Sequence, residues 1–176
     1  MNILLDLDNT LISSLSTEEE QPCHKRRMKK YTWKDMDGYY KVFERPGLQD
    51  FLDFLFKHFN VSVWTAASKS YALFIINHFI LDGHPERRLD YIFFSHHCRQ
   101  SKRQMNSQKH LNMLWSVFNI DDYNEDNTFI IDDNSEVYST QPNRCIHVKP
   151  FEFTAKNSHK DKELIESVIP SLKDML

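Results

Sequence analysis

The chain has 176 residues, of which 25 are acidic and 22 basic for a formal charge of −3, and 40% are hydrophobic with 13% aromatic. Such a length can bury roughly two thirds of its unfolded surface in one core, so a single domain spanning 1–176 is expected, and the balanced charge gives no global reason to expect nucleic acid or an anionic membrane as partner. Cys23, Cys98 and Cys145 form no CxxC pair, no basic leader precedes the first apolar run, and no stretch nears the ~20 apolar residues of a membrane span. A disulfide scaffold, a zinc site, a secreted protein and a membrane protein are therefore not expected; a monomer of the cytoplasm or nucleus is.

In chain order, Ile3 to Leu7 is a short apolar run of the kind a buried parallel strand makes, and it leaves Asp6 and Asp8 at or beyond the strand's carboxyl end. Two bare carboxylates there are unfavourable, so a cation or a reaction should accompany them. Ser13 to Gln21 is polar and reads as loop. Lys25-Arg26-Arg27 and Lys29-Lys30 follow as a basic cluster, which reads as a solvated loop rather than a nucleic-acid patch. Tyr31-Thr32-Trp33 and Tyr39 to Phe43 are rich in aromatic and β-branched residues, and Asp37-Gly38 between them permits positive φ, so a β-hairpin is predicted over about 31–43.

Arg45-Pro46-Gly47 then opens a helix with Leu48, Phe51, Leu52, Leu55 and Phe59 at three- and four-residue spacing. A second strand, Val61 to Trp64, ends at Thr65-Ala66-Ala67-Ser68 before a helix from Tyr71 to about Leu81. Tyr91 to Phe94 is a third strand. His96-His97 with Cys98 is read as ordinary structure continuing it, since adjacent strand side chains point to opposite faces. Gln108 to Phe118 is predicted as a helix with Leu111, Leu114, Trp115 and Phe118 inward. Thr128 to Ile131 is a fourth strand ending in Asp132-Asp133, Cys145 to Val148 a fifth, and Lys162 to Ile169 a helix stopped by Pro170. Alternating strands and helices predict an α/β fold with an open, mainly parallel sheet.

In such sheets ligands sit outside the carboxyl ends of the strands. Asp6 and Asp8, Thr65, and Asp132 with Asp133 all fall at such ends, and carboxylates converging from two strands make an oxygen-rich site suited to Mg²⁺ with a phosphate. If the chain turns after Asp6, the two aspartates take different roles, one as nucleophile and one handling protons.

The segments Asp6-Leu7-Asp8-Asn9-Thr10-Leu11, Trp64-Thr65-Ala66-Ala67-Ser68, Lys109-His110-Leu111 and Ile130-Ile131-Asp132-Asp133-Asn134-Ser135 resemble, in order, the four motifs of the haloacid dehalogenase superfamily. Within it, with Arg45-Pro46-Gly47, Tyr138 and Val148-Lys149-Pro150 in support, the chain is most similar to the RNA polymerase II carboxy-terminal-domain phosphatases, the NLI-interacting-factor-like group, over about residues 3–153. The resemblance implies a haloacid dehalogenase-like sheet and a Mg²⁺-dependent serine/threonine protein phosphatase. It implies that Asp6 is the nucleophile that forms an aspartyl-phosphate, and that Asp8 is the general acid and base. Thr65 and the amides near Ala66 are implied to hold the phosphate, with Lys109 neutralising its charge, and Lys102 competes with Lys109 for that role. Asp6, the backbone carbonyl of Asp8, and Asp133 are implied to bind the metal, with Asp132 in support. Asn9 departs from the glutamate usual in the group.

The spacing between motifs leaves no room for a large cap domain, so the site is expected to be open and to suit a phosphate displayed on a protein chain. The resemblance implies a phosphoprotein partner, the RNA polymerase II carboxy-terminal domain among them, and an aromatic groove from the hairpin region. Tyr31, Trp33, Tyr39, Tyr40 and Phe43 are the candidates for that groove.

Overall fold

The computed structural model describes residues 1–176. The chain runs through β1 (Asn2–Leu5), β2 (Ile12–Ser16), α1 (Pro22–Met28), β3 (Trp33–Met36), β4 (Tyr40–Glu44), α2 (Leu48–His58) and β5 (Asn60–Trp64). Next come α3 (Lys69–Ile75), which continues as a wider π turn over Ile76–Leu81, then β6 (Leu89–Phe93), α4 (Ser95–Met105) and α5 (Asn112–Ser116). The last elements are β7 (Thr128–Asp132), α6 (Ser135–Thr140), β8 (Cys145–His147) and α7 (Ile169–Lys173).

Five strands form one parallel sheet in the order β6-β5-β1-β7-β8. The two-residue period of a strand explains why both faces are covered. Ile3, Leu5, Val61, Val63 and Ile131 point into a core with α2 and α3, whereas Leu4, Trp64 and Ile130 point into a second core with Leu111, Met113 and Leu114. On α2 the apolar spacing buries Leu48, Phe51, Leu52 and Leu55. At roughly 1.5–3 kcal/mol for each such side chain, packing rather than helix propensity fixes α2 on the sheet. Gly47 precedes it with φ of +80°, and a Cβ there would lie 2.7 Å from Ile165 Cγ1, so glycine is required both by backbone and by space.

The predicted hairpin is present, with Asp37 and Gly38 both at positive φ between β3 and β4. It is larger than expected: β2, whose residues 13–16 fall in the segment read as loop, pairs with β4 to make a three-stranded antiparallel sheet β2-β4-β3. The Ser-rich sequence Ile12-Ser13-Ser14-Leu15-Ser16 shows no alternation of polarity: it buries Ile12, Ser13 and Leu15 and leaves Ser14 and Ser16 half-exposed. Leu15, Met28, Phe43 and Phe153 close a small core beneath this sheet, with the rings of Phe43 and Phe153 stacked 3.7 Å apart.

Three other expectations are corrected. His96, His97 and Cys98 lie in helix α4, not in strand, because β6 ends at Phe93 and His97 Nδ1 accepts the Phe94 N–H across the first turn. The helix expected over 108–118 shrinks to α5, since Lys109 and His110 are held in a turn by side chains from elsewhere in the fold. Pro170 does not stop the last helix: residues 164–168 open into a π turn that leads into α7, which absorbs the donor proline lacks.

Candidate active site

Residues Leu5 of β1, Val63 of β5 and Ile131 of β7 lie side by side, so the three loops that follow these strands meet at one edge of the sheet. Asp6 is the first residue past β1, and its N–H donates to Ile131 O at 3.0 Å, which fixes its backbone against β7. The chain then turns back: Leu7 O accepts from Leu11 N at 2.9 Å, and Asn9 takes a φ of +59°, a conformation asparagine tolerates. This reversal sends Asp6 and Asp8 in different directions and returns the Thr10 hydroxyl to Asp6 Oδ2 at 3.1 Å.

Asp6 is buried, and its Oδ1 accepts from Lys109 Nζ at 2.5 Å; the same ammonium donates to Asp132 Oδ2 at 2.7 Å. Desolvation would lower the Lys109 pKa, but Asp6 and Asp132 outweigh it and hold the lysine above its usual value, so it is charged. The loop that carries Lys109 is pinned from two helices. Gln141, just past α6, donates to Lys109 O at 2.8 Å and accepts from Leu111 N at 3.0 Å, while Ser101 of α4 donates to Ser107 O at 2.6 Å and accepts from His110 N at 3.0 Å. Lys102 is exposed and pairs with Glu136 on the surface, away from Asp6.

At the end of β7, Asp132 accepts the Asn134 N–H at 2.8 Å and is fully buried, and Asp133 Oδ1 accepts from Thr10 Oγ1 at 3.1 Å. One carboxylate oxygen from each of Asp6, Asp132 and Asp133 lies within 4.8 Å of the others. Burial, followed by the charge of Asp6, pushes both Asp132 and Asp133 above the usual carboxylate range, against the pull of Lys109. Three crowded carboxylates facing one ammonium are short of positive charge, and their donors are all hard oxygens. That set fits a divalent cation of the Mg²⁺ kind, for which Asp6 and Asp133 would be the ligands with Asp132 behind them.

Asp8 stands apart from this cluster. Its Oδ1 accepts from the Tyr71 hydroxyl at 2.7 Å. Burial raises its pKa to about 6, the Tyr71 hydrogen bond opposes that rise, and the Asp6 charge adds to it. Tyr71 itself is pushed up by burial and by Asp8, so it stays a donor. An aspartate with a pKa near neutrality can both give and take a proton at physiological pH.

Thr65 is buried at the end of β5, and its hydroxyl accepts from Ala67 N at 3.0 Å, tightening a turn that leaves Ala66 exposed at the same edge. Beside Asp8 a hollow of about 380 Å³ is lined by Ser14, Met36, Tyr40, Ala67, Ser68 and Tyr71. Of the five aromatic candidates only Tyr40 lines it. Phe43 is fully buried, and Tyr31 is half-buried against Phe43 and Phe153, so neither offers groove surface. Trp33 is exposed on β3 and leans on Phe43, and Tyr39 is exposed at the hairpin turn.

Several residues of the site carry no sequence signal strong enough to single them out. Met36 and Tyr71 join the hollow from two different elements. Thr10 bridges Asp6 and Asp133; its place inside the first motif was the available clue. Arg45 is fully buried, donates to Thr10 O at 2.9 Å and to Lys149 O at 2.9 Å, and pairs with both oxygens of Asp161, so it ties the loop after Asp8 to the far end of the chain. Its position between β4 and α2 was visible, but not its direction.

The model of the NLI interacting factor-like phosphatase family matches residues 1–176. The chain is 46% identical over 180 residues to CTD phosphatase-like protein 355R of Invertebrate iridescent virus 6, covering 99% of this chain and 96% of that protein. It is 40% identical over 171 residues to CTD phosphatase-like protein 355R of Invertebrate iridescent virus 3, covering 93% and 91%. Among solved structures it is similar in fold to Fcp1, an essential RNA polymerase II CTD phosphatase, with a TM-score of 0.57 at 18% identity, covering 99% of this chain and about half (49%) of that one.

Proposed function

Because the chain belongs to the NLI interacting factor-like phosphatase family and has a haloacid dehalogenase-like fold, we propose that it is a Mg²⁺-dependent phosphatase of protein phosphoserine or phosphothreonine. The observation that carries the reading is the division of labour between the two aspartates. Asp6 is buried against Lys109, 2.5 Å away, while Asp8 is turned out of that cluster and held by Tyr71 with a pKa of about 6.

An Asp6 carboxylate oxygen attacks phosphorus as the bond from phosphorus to the serine oxygen breaks, and protonated Asp8 gives its proton to the leaving alkoxide. Asp8, now ionised, takes a proton from a water that attacks the aspartyl-phosphate, which frees phosphate and regenerates both carboxyl groups. Lys109 offsets charge on Asp6 and on the phosphoryl oxygens, and Thr65 with the amides near Ala66 orients the phosphate. Asp132 keeps the Lys109 ammonium in place, and Thr10 keeps Asp6 and Asp133 apart at fixed distances. Mg²⁺, held by Asp6, Asp133 and the Asp8 carbonyl, supplies further neutralisation of the phosphate charge when bound.

The hollow beside Asp8 is open and lined by Met36, Tyr40 and Tyr71, which suits an extended peptide better than an enclosed metabolite. Hydrolysis of an aryl phosphate should require Mg²⁺ and vanish in Asp6→Asn; activity that survives both EDTA and that substitution rules the mechanism out. Phosphopeptides should be preferred over sugar phosphates and phosphorylated oligonucleotides. The relatives' names make peptides from the RNA polymerase II carboxy-terminal domain the first to try. A large preference for a non-peptide substrate would reassign the enzyme to small-molecule or nucleic-acid phosphates.

A further inference from the structure

The basic run after the first motif is part of a built cleft. Arg26, Arg27 and Lys30 of α1 and its end face Lys156, Asn157 and His159 across a hollow of about 330 Å³. Segments 22–30 and 154–160 contain no acidic residue. None of the four cations in the cleft belongs to any of the chain's ion pairs, although the net charge of the whole chain is negative. The cations lie close enough to affect their neighbours: His159 is held below its usual pKa by local desolvation and then by Lys30, Lys160 and Arg27. Arg27 donates to Phe153 O at 3.0 Å and Ala155 O at 2.7 Å, which clamps the two walls together.

The cleft is joined to the active site. Phe151 N donates to Asn9 O at 2.7 Å, directly after Asp8, and Phe153 N donates to Ser13 Oγ at 2.9 Å. From Phe151 to Lys156 is five residues, at most about 17 Å of extended chain. A groove of about 420 Å³ touches Asn9, Ser13 and Ser14 and also His24 and Thr154, which lie next to Cys23 and within two residues of Lys156 of the cleft. Ser14 also lines the hollow beside Asp8.

We propose that the cleft between α1 and the 154–160 turn is a docking site for a second phosphorylated side chain of the same substrate polypeptide. The proposal rests on the phosphoprotein reading above and deepens it. A dianion matches four cations that have no acidic partner and gather around one hollow, and arginine with lysine is the pairing that phosphate recognition uses. Glu19 and Glu152 line the connecting groove, so the residues between the two phosphates should be uncharged or basic. Those two acids also interrupt the basic surface, which disfavours an extended nucleic-acid backbone.

The test is fluorescence anisotropy with the full chain carrying Asp6→Asn, titrated with three labelled peptides. One has a single phosphoserine, one has two phosphoserines two residues apart, and one has them six residues apart with neutral residues between. The wide-spaced peptide should bind about five- to tenfold more tightly than the single one. The close-spaced peptide should show no such gain. Adding Arg26→Ala, Lys30→Ala and Lys156→Ala should erase the gain, as should raised salt, because these side chains are exposed. In the otherwise unaltered chain the same triple change should leave aryl phosphate hydrolysis and the melting temperature unchanged, since it spares Arg27.

Equal binding of all three peptides, or a gain that survives the triple change, overturns the proposal. So does a single-stranded 12-mer oligonucleotide that binds more tightly than the wide-spaced peptide and loses that binding in the triple variant. Failure of the unaltered chain to hydrolyse aryl phosphate would count against the catalytic reading alone, because the binding comparison uses no turnover.

Discussion

Replacing Asp8 by asparagine keeps the side chain's shape and an oxygen acceptor for the Tyr71 hydroxyl, and removes the charge together with the proton the carboxyl group can carry. In the folded chain Asp8 has its pKa raised from 3.8 to about 6, chiefly by burial. A folded-state pKa above the unfolded one means that the native state resists ionisation. The favourable contribution is whole below pH ~4 and is lost as pH rises through about 6. Two units at 1.36 kcal/mol each set an upper limit near 3 kcal/mol, and solvent reaching the half-buried group brings it to about 2 kcal/mol. Asp8→Asn should therefore be more stable than the parent at pH 8 by about 2 kcal/mol, equivalent to roughly 4–8 °C in melting temperature for a chain of this size. The gap should close as pH falls from 7 to 4, while hydrolysis of phosphopeptide drops by about 10²- to 10⁴-fold at every pH. Thermal melts of both proteins in EDTA at pH 8, 6 and 4.5, run beside the activity assay, measure this. A gap that does not change with pH, or a variant less stable than the parent at pH 8, would refute the assignment of a desolvated, proton-carrying Asp8.

Tyr71→Phe removes a hydrogen bond that lowers the Asp8 pKa, so the alkaline limb of the pH profile of turnover should move up by roughly half to one pH unit, read from initial rates between pH 5 and 8. Lys109→Met leaves Asp6, Asp132 and Asp133 without their ammonium; activity should be lost, and the rise in melting temperature on adding Mg²⁺ should be larger than in the parent, by differential scanning fluorimetry. Arg45→Ala strips Thr10 O, Lys149 O and Asp161 of their shared donor, and should cost about 3 kcal/mol in urea denaturation and lower turnover through the loop that carries Asp8. Gly47→Ala should cost about 1–2 kcal/mol in the same assay, because it sets a Cβ 2.7 Å from Ile165 at a positive φ.

Much of this molecule is legible along the chain. Short apolar runs bounded by polar residues locate the parallel strands, most plainly the central β1, β5 and β7, because a strand buried on both faces is mostly apolar, and Asp-Gly locates the hairpin turn, because few residues accept positive φ. The resemblance of four short segments to known motifs points to the same strand ends. Elements with a mixed or polar pattern carry a weaker signal. The serine-rich strand β2 looks like loop until β4 pairs with it, and α4 has too few apolar residues to display a helical period, since Cys98 and Ser101 are its only buried positions.

Local pattern therefore determines which residues end strands, and so which carboxylates can meet. It does not determine direction. The lysine that reaches Asp6 is Lys109 rather than Lys102, seven residues earlier, because Gln141 and Ser101 hold its turn inward. The aromatic side chains beside Asp8 are Tyr40 and Tyr71 rather than Phe43 and Tyr31, because Phe153 returns from the far end of the chain to bury those two. The basic run on α1 becomes a cleft only when the 154–160 turn lies against it. Strand ends follow from short-range hydrophobic burial, which a window of five residues records; side-chain aim follows mostly from contacts across 30 to 130 residues, such as Gln141 to Lys109 and Phe153 to Tyr31, which no window contains.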